Sequence, residues 1–490
     1  LDLYQIKKSK MNIDIFKTIL TQAKYSKKKF LINENKTYED FYYNSVKICK
    51  FIQNKINKNE TICICANYSF NFISLIFASY LNKNPITFIN PNASQDEKNY
   101  IIKDSSAKLI FFDEYLYEKK DAKKFLSFYY NDTLKKKKLF NCKFIIYTSG
   151  TTNKPKGVLT SVKAISNNVY GINKNLRIRS KDRGIIFSPP AYAMGVSQIL
   201  TFMLSKCSFA IHNSGVKFPN QLINKVNKDK ISVLNLSISA FRIIKKFIKD
   251  KKKFKNIRLV MAGGMQFTTN ELNEYKKMFP NAKIINFYGC TENAPRISHY
   301  YINSDKNYKG IIPVGKPIKG VKIKIIKPIL SKFGQIQISG SSMMNGYNNL
   351  KQLTKKKIVK GWFKTGDIGF FDKSKNLFLL GREDNTFRVG HEKLCPEEVE
   401  SQIKKDFKLS DVIILKIKDE ILNWKPVCIL TNKKKISINK IKTNLKDKIS
   451  NYKIPKEIYF IKSFPKTSYG KIDRKKLEIK KNKNYEKKNN

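Results

Sequence analysis

Apolar and polar positions alternate with two different periods along the chain, and the change of period outlines the architecture. From about residue 10 to 140, stretches with helical spacing of apolar residues alternate with short β-rich runs at Thr61–Cys65, Ile86–Ile89 and Leu109–Phe112. The same rhythm continues through Gly184–Ser188, Phe209–His212, Val233–Leu236, Arg258–Met261 and Lys283–Phe287. It predicts layered α/β structure. Between residues 310 and 380 the texture changes to glycine-punctuated short strands, among them Val321–Ile326, Gln335–Ser339 and Leu377–Leu380, which predict a β-rich subdomain. Beyond Gly381-Arg382-Glu383-Asp384 follows a compact stretch of strand and helix patterns, with the boundary placed at 383–385. The expected organisation is a large α/β domain over 1–383, a small α+β domain over 384–480, and a disordered, lysine- and asparagine-rich tail over 481–490.

The longest apolar run, Phe70–Leu81, is too short to cross a bilayer and carries polar residues. No apolar signal core stands at the start of the sequence, so a cytoplasmic location is expected. Eight cysteines are scattered without metal-ligand spacing; Cys63 and Cys65 would share one face of a strand as small core residues.

The net charge of +59 invites a nucleic-acid reading, yet only nine of the 97 basic residues are arginine. Lysine, isoleucine and asparagine are abundant together, which is the signature of A/T-rich codon usage. Lysines are spread along the chain, and arginine, the better bidentate reader of phosphates and bases, is scarce. No specific nucleic-acid partner is expected, only salt-sensitive adhesion. A basic anion- or nucleic-acid-binding protein with a degenerate active site is the alternative of another class.

The richest chemistry lies at 147–158, Tyr-Thr-Ser-Gly-Thr-Thr-Asn-Lys-Pro-Lys-Gly-Val, directly after the apolar run Phe144–Ile146. Backbone N–H groups at glycines, four hydroxyls and two lysines suit a polyphosphate cradle, and a polar surface loop is the plain alternative. The order Lys156-Gly157-Val158 differs from the common P-loop, which ends Gly-Lys-Ser/Thr. Downstream, Tyr288-Gly289-Cys290-Thr291-Glu292 offers a flat ring, close backbone approach, a hydroxyl and a hard oxygen ligand for Mg²⁺, or simply a strand-end turn. Gly263-Gly264 ends another strand where a ligand could lie against backbone. Thr365-Gly366-Asp367, Gly381-Arg382-x-Asp384 and Gly470-Lys471-Ile472-Asp473-Arg474 are each weak signals taken singly.

Together, in this order and spacing, they resemble the adenylate-forming superfamily of acyl-CoA synthetases, carrier-loading adenylation domains and luciferases, over nearly the whole chain. The resemblance implies an ATP-dependent acid–thiol ligase. A carboxylate attacks the α-phosphate of ATP to give acyl-AMP and pyrophosphate, and a thiol of CoA or of a carrier phosphopantetheine then takes the acyl group. A stand-alone enzyme loading an acyl carrier protein is the alternative within the fold. Thr148, Ser149, Gly150, Thr151, Thr152 and Lys156 would hold the phosphates and Tyr288 would flank adenine, with Gly263, Gly264 and Gly289 also at the nucleotide site and Gly264 bordering the acyl pocket. Asp367 and Arg382 would hold the ribose, Thr291 the α-phosphate and Glu292 Mg²⁺. Lys471 would bridge carboxylate and α-phosphate, and the small domain would be mobile about Asp384. Departures from the family pattern are Asn153 for glycine, Gln335 for glutamate, Arg388 for lysine, and His391 at a glycine position of the thiol tunnel, with Gly390 one residue early. Tyr192 stands where many relatives carry histidine. With Met194 it would line an acyl pocket that lacks an aspartate for an ammonium group, favouring a neutral carboxylic acid over an amino acid.

Overall fold

A computed structural model of the chain describes all residues except 1–12, 115–124, 131–138, 140, 149–154, 249–253, 304–307, 309, 327–332, 390–391, 420–422, 432–435, 447, 467–471, 480–485 and 488–490. Two large sheets, sandwiched with helices, make the layered α/β part. The nine-stranded sheet runs Lys316–Pro317, Arg296–Tyr301, Lys283–Gly289, Leu259–Gly263, Val233–Asn235, Arg183–Ile186, Ser208–Ile211, Lys29–Leu31 and Lys36–Thr37. Its central strands pair in parallel, and Arg296–Tyr301 returns antiparallel to Lys283–Gly289. The seven-stranded sheet runs Gly346–Tyr347, Lys156–Thr160, Phe144–Thr148, Ile86–Phe88, Thr61–Cys65, Ala107–Glu114 and Phe125–Tyr130.

The connecting helices start where the sequence supplies side-chain acceptors for their first N–H groups. Thr37 and Asp40 form a capping box on Tyr38–Gln53, Thr268 and Glu271 another on Thr269–Met278, and Ser69 caps Phe70–Leu81. Phe70–Leu81 is apolar on nearly all sides because it is buried on nearly all sides. Among the described residues no helix is long and apolar enough to cross a membrane. Cys63 and Cys65 pack into one cluster with Ile89, Ile145 and Tyr147.

The predicted β-rich stretch is a five-stranded antiparallel sheet built from Val321–Ile326, Gly334–Gly340, Trp362–Phe371, Ile358–Val359 and Leu377–Arg382. From Phe387 onward the chain forms its own apolar clusters. In one, Phe387, Leu394, Val399 and Ile403 meet Ile414, Cys428 and Phe460; in the other, Ile413 and Leu415 meet Phe464 and Leu477. Their scaffold is a sheet of Ile413–Asp419, Asn423–Thr431 and Glu457–Ile461 with helices Pro396–Phe407 and Ile438–Leu445. Glu486–Lys487, which the sequence places in an unordered tail, pairs antiparallel with Glu457–Ile461. An edge strand leaves its backbone groups open to such an addition.

Candidate active site

A cavity of about 1010 Å³ opens at the carboxyl ends of the parallel strands. That is where open α/β sheets place ligands, because the strands end there and the loops diverge. The sequence motifs converge on it from five separate parts of the chain.

Strand Phe144–Thr148 delivers Thr148 to the cavity, and its antiparallel partner carries Lys156 directly opposite Thr148. The two ends of the hydroxyl-rich loop are thus clamped in register, with Tyr147 opposite Gly157. A Cβ at Gly157 would come within 3.0 Å of Ile145 and 3.1 Å of the Tyr147 ring. The ring is fixed in turn, because the Tyr147 hydroxyl donates to Asp104 Oδ2 at 2.6 Å. Asn348 Nδ2 donates to the Asp104 carbonyl at 2.7 Å, closing a brace against Tyr147. Ser149, Gly150, Thr151 and Thr152 themselves lie outside the described residues.

Strand Lys283–Gly289 ends in Tyr288 and Gly289, and Thr291–Asn293 forms a single 3₁₀ turn. Tyr288, Gly289, Thr291 and Glu292 all line the cavity. The Tyr288 hydroxyl donates to Asp367 Oδ2 at 2.5 Å, and Arg382 Nη1 donates to Asp367 Oδ1 at 2.9 Å and to the Thr365 carbonyl at 3.0 Å. Both oxygens of Asp367 are therefore oriented. Burial and the Asp367 charge push the Tyr288 hydroxyl's pKa up, so it remains a donor. Positive φ at Gly366 (+76°) places it against the Arg382 guanidinium, where a Cβ would be 3.0 Å from Nη2.

Glu292 is held by a residue to which the sequence reading assigned no role. The Tyr347 hydroxyl donates to Glu292 Oε1 at 2.8 Å, and the Met344 N–H donates to the Glu292 carbonyl at 2.8 Å. Among the described residues no cluster of three or more His, Cys, Asp or Glu could hold a metal. One fixed carboxylate fits Mg²⁺, which keeps waters and takes further oxygens from phosphates. Cys290 between these groups is partly buried, and burial with the nearby Glu292 and Asp367 charges raises its pKa, so it stays a thiol.

Gly264 (φ +84°) lines the cavity. Gly263 serves a neighbour instead: the space a side chain would take is filled by the Phe287 ring, 2.6 Å from an ideal Cβ. Tyr192 and Met194 line the cavity at the start of helix Ala193–Leu204.

At the junction, Gln335 Nε2 donates to Glu383 Oε2 at 2.5 Å and Asn385 Nδ2 to Glu397 Oε1 at 2.5 Å. The departure from glutamate at 335 thus supplies a donor where a second carboxylate would repel Glu383. Between these anchors Asp384 is exposed and meets Arg382 Nη2 at 3.6 Å. Arg242 bridges Glu271 at 2.7 Å and Asp411 at 2.8 Å, tying the carboxyl-terminal part to the rest. Ile472, Asp473 and Arg474 line the cavity, and Arg474 donates to both oxygens of Glu400 at 2.6 and 2.7 Å. Lys471, which immediately precedes them, and the tunnel candidates Gly390 and His391 lie outside the described residues.

A parallel-sheet crevice with an oriented carboxylate pair and a clamped hydroxyl-rich loop is the layout of a nucleotide-using enzyme. Residues 20–348 match the family model described as AMP-binding enzyme, and the chain belongs to that family. It is 24% identical over 475 residues to zwittermicin A synthase ZmaJ of Bacillus cereus, covering 91% of this chain and 90% of that protein. With 2-succinylbenzoate–CoA ligase of Bacillus pumilus it shares 24% over 451 residues, covering 88% and 90%. It matches only 18% of a much longer mycosubtilin synthase polypeptide of Bacillus subtilis, at 24% identity over 90% of this chain. Among solved structures, o-succinylbenzoate coenzyme A synthetase from Bacillus subtilis in complex with ATP and magnesium superposes with TM-score 0.78 at 19% identity, covering 95% and 99% of the two chains. ATP-bound MatB from Rhodopseudomonas palustris gives 0.80 at 16%, covering 96% and 99%. These likenesses show the fold.

Proposed function

We propose that the protein is an ATP-dependent acid–thiol ligase that adenylates a carboxylic acid and passes the acyl group to CoA. The observation that carries this reading is the convergence on one cavity of Thr148, Thr291, Glu292, the Tyr288–Asp367–Arg382 set and the Ile472–Arg474 segment. Relatives named as CoA ligases support it.

In the first step a substrate carboxylate oxygen attacks the α-phosphorus of ATP; the P–O bond to the β-phosphate breaks and pyrophosphate leaves. The Thr148–Lys156 loop is proposed to hold the β- and γ-phosphates through backbone N–H groups and hydroxyls. Asp367, fixed by Tyr288 and Arg382, would accept the ribose hydroxyls, while Thr291 donates to the α-phosphate. Mg²⁺ bound at Glu292 would supply Lewis-acid stabilisation of phosphate charge. Lys471 would lie between the two anions and lower the cost of bringing them together. In the second step a thiolate attacks the acyl carbonyl carbon and AMP leaves. Rotation of the part beyond Asp384 would remove Lys471 and admit the thiol, since the exposed Asp384 is flanked by the anchored Glu383 and Asn385. The reaction is assigned to the cytoplasm, where ATP and CoA are supplied.

The test is exchange of labelled pyrophosphate into ATP with a panel of acids that includes 2-succinylbenzoate, linear and aromatic acids, and amino acids. Exchange with at least one acid is expected; none with any of them would refute the ligase reading. Comparing CoA with a phosphopantetheinylated carrier protein then identifies the acceptor, the mycosubtilin synthase relative being the observation that favours a carrier.

A further inference from the structure

One buried cation in the cavity is left out of this mechanism. Arg296 begins the strand Arg296–Tyr301, is 6% exposed and lines the cavity. Its guanidinium carbon stands 3.8 Å from the centre of the Phe287 ring. Register explains the placement. A bulge between Tyr288 and Gly289 sets Arg296 opposite Gly289, which returns it to the sheet face that carries Phe287. That face continues through Met261 to Asn235, its register partner, and lies opposite helices Val162–Leu176 and Ala193–Leu204.

No carboxylate among the described residues bonds this guanidinium. The cavity's acids are engaged elsewhere: Glu292 with Tyr347, Asp367 with Tyr288 and Arg382, Asp411 with Arg242. Burial alone pushes the Arg296 pKa down to about 9, which leaves it charged at neutral pH. The neighbouring His299 cannot share the role, because burial and the Arg296 charge push its pKa down to about 4. Asn235, 5% exposed on the same wall, has no partner for either amide atom. A buried cation without a counter-ion is costly, and a ligand that supplies the counter-ion removes that cost.

We propose that the acid activated by this enzyme carries a second anionic group, a distal carboxylate, which pairs with Arg296 across an apolar pocket walled by Met194, Phe202, Met261 and Phe287. This rests on the ligase reading above and narrows its carboxylic acid to a dicarboxylate, in place of the neutral acid expected from the sequence. Arg296 supplies a planar fork for two parallel N–H···O bonds, and Phe287 holds that fork flat. Asn235, three strands away, offers its amide to a polar atom within the body of the acid.

The test measures kcat/KM for pyrophosphate exchange with matched pairs of acids: heptanedioate against heptanoate, and 3-(carboxyphenyl)propanoate against 3-phenylpropanoate. Wild type should prefer the dicarboxylate in at least one pair. Arg296→Met should cut that preference about 100-fold, the scale for losing one partner of a buried charge pair, and Arg296→Lys should restore part of it. The ratio within a pair is insensitive to the fraction of correctly folded variant. Exchange with monocarboxylates but no preference for either dicarboxylate, or a preference unchanged in Arg296→Met, overturns this inference and leaves adenylation standing. No exchange with any acid of the wider panel refutes the ligase reading, and this one with it.

Discussion

Tyr347→Phe removes a hydrogen bond that aims Glu292. The substitution removes only the hydroxyl; the ring is 7% exposed and stays packed, and the Met344–Glu292 backbone bond keeps the turn in place. A hydrogen bond to a charged acceptor contributes about 1.5–3 kcal/mol, and here its length is 2.8 Å. Because Glu292 faces an open cavity, the freed oxygen can take up water, so the lower part of that range applies. Burial and the Glu292 charge raise the Tyr347 pKa, so the donor is present throughout the neutral range. The expected result is a loss of about 10- to 30-fold in apparent Mg²⁺ affinity, the size seen when a group orienting a metal ligand is removed. The assay is pyrophosphate exchange at fixed ATP titrated with Mg²⁺, with the fold verified by circular dichroism. A Mg²⁺ curve superimposable on wild type would refute the assignment of Glu292 as the metal-holding carboxylate positioned by Tyr347.

Three further outcomes follow from the same reasoning. Tyr288→Phe, which leaves Asp367 with Arg382 alone, should raise the KM for ATP about 10-fold with a smaller change in kcat, read from initial rates. Gly263→Ala drives a methyl to 2.6 Å from the Phe287 ring and should cost about 1–3 kcal/mol in urea unfolding, together with altered acid selectivity. Lys143 is fully buried, donating to the Ile76 carbonyl at 3.1 Å and to Ser79 Oγ at 2.5 Å, and burial lowers its pKa from 10.5 to about 7. Between those values the unfolded chain binds a proton that the folded chain lacks, so wild-type stability rises with pH across that window. Lys143→Met should therefore be more stable than wild type, by about 4 kcal/mol near pH 7, with the difference shrinking toward pH 10.5. A difference that grows with pH would show that Lys143 is charged in the native state.

Local chemistry made part of the site readable from sequence. The strand before the hydroxyl-rich loop, the Tyr-Gly-x-Thr-Glu turn and the Thr-Gly-Asp turn each pack their characteristic residue types into a few consecutive positions. The β-rich stretch was visible because its strands keep a short period between glycines. What supports these motifs was not visible, because it depends on which strands become neighbours. Tyr347 lies 55 residues from Glu292, and Asn348 lies 244 from Asp104. Arg296 escaped for a subtler reason: a one-residue bulge decides which face of the sheet it joins. Gly263 looked like a place for a ligand, yet only the fold reveals that Phe287 fills the space.

The central claim is that a carboxylate oxygen attacks the α-phosphate of ATP. Its most direct test is a single turnover with an acid labelled with ¹⁸O in the reacting carboxylate, followed by mass spectrometry of the phosphate products. One labelled oxygen in AMP and none in pyrophosphate is the predicted result. Label in inorganic phosphate, with ADP as the nucleotide product, would contradict the account.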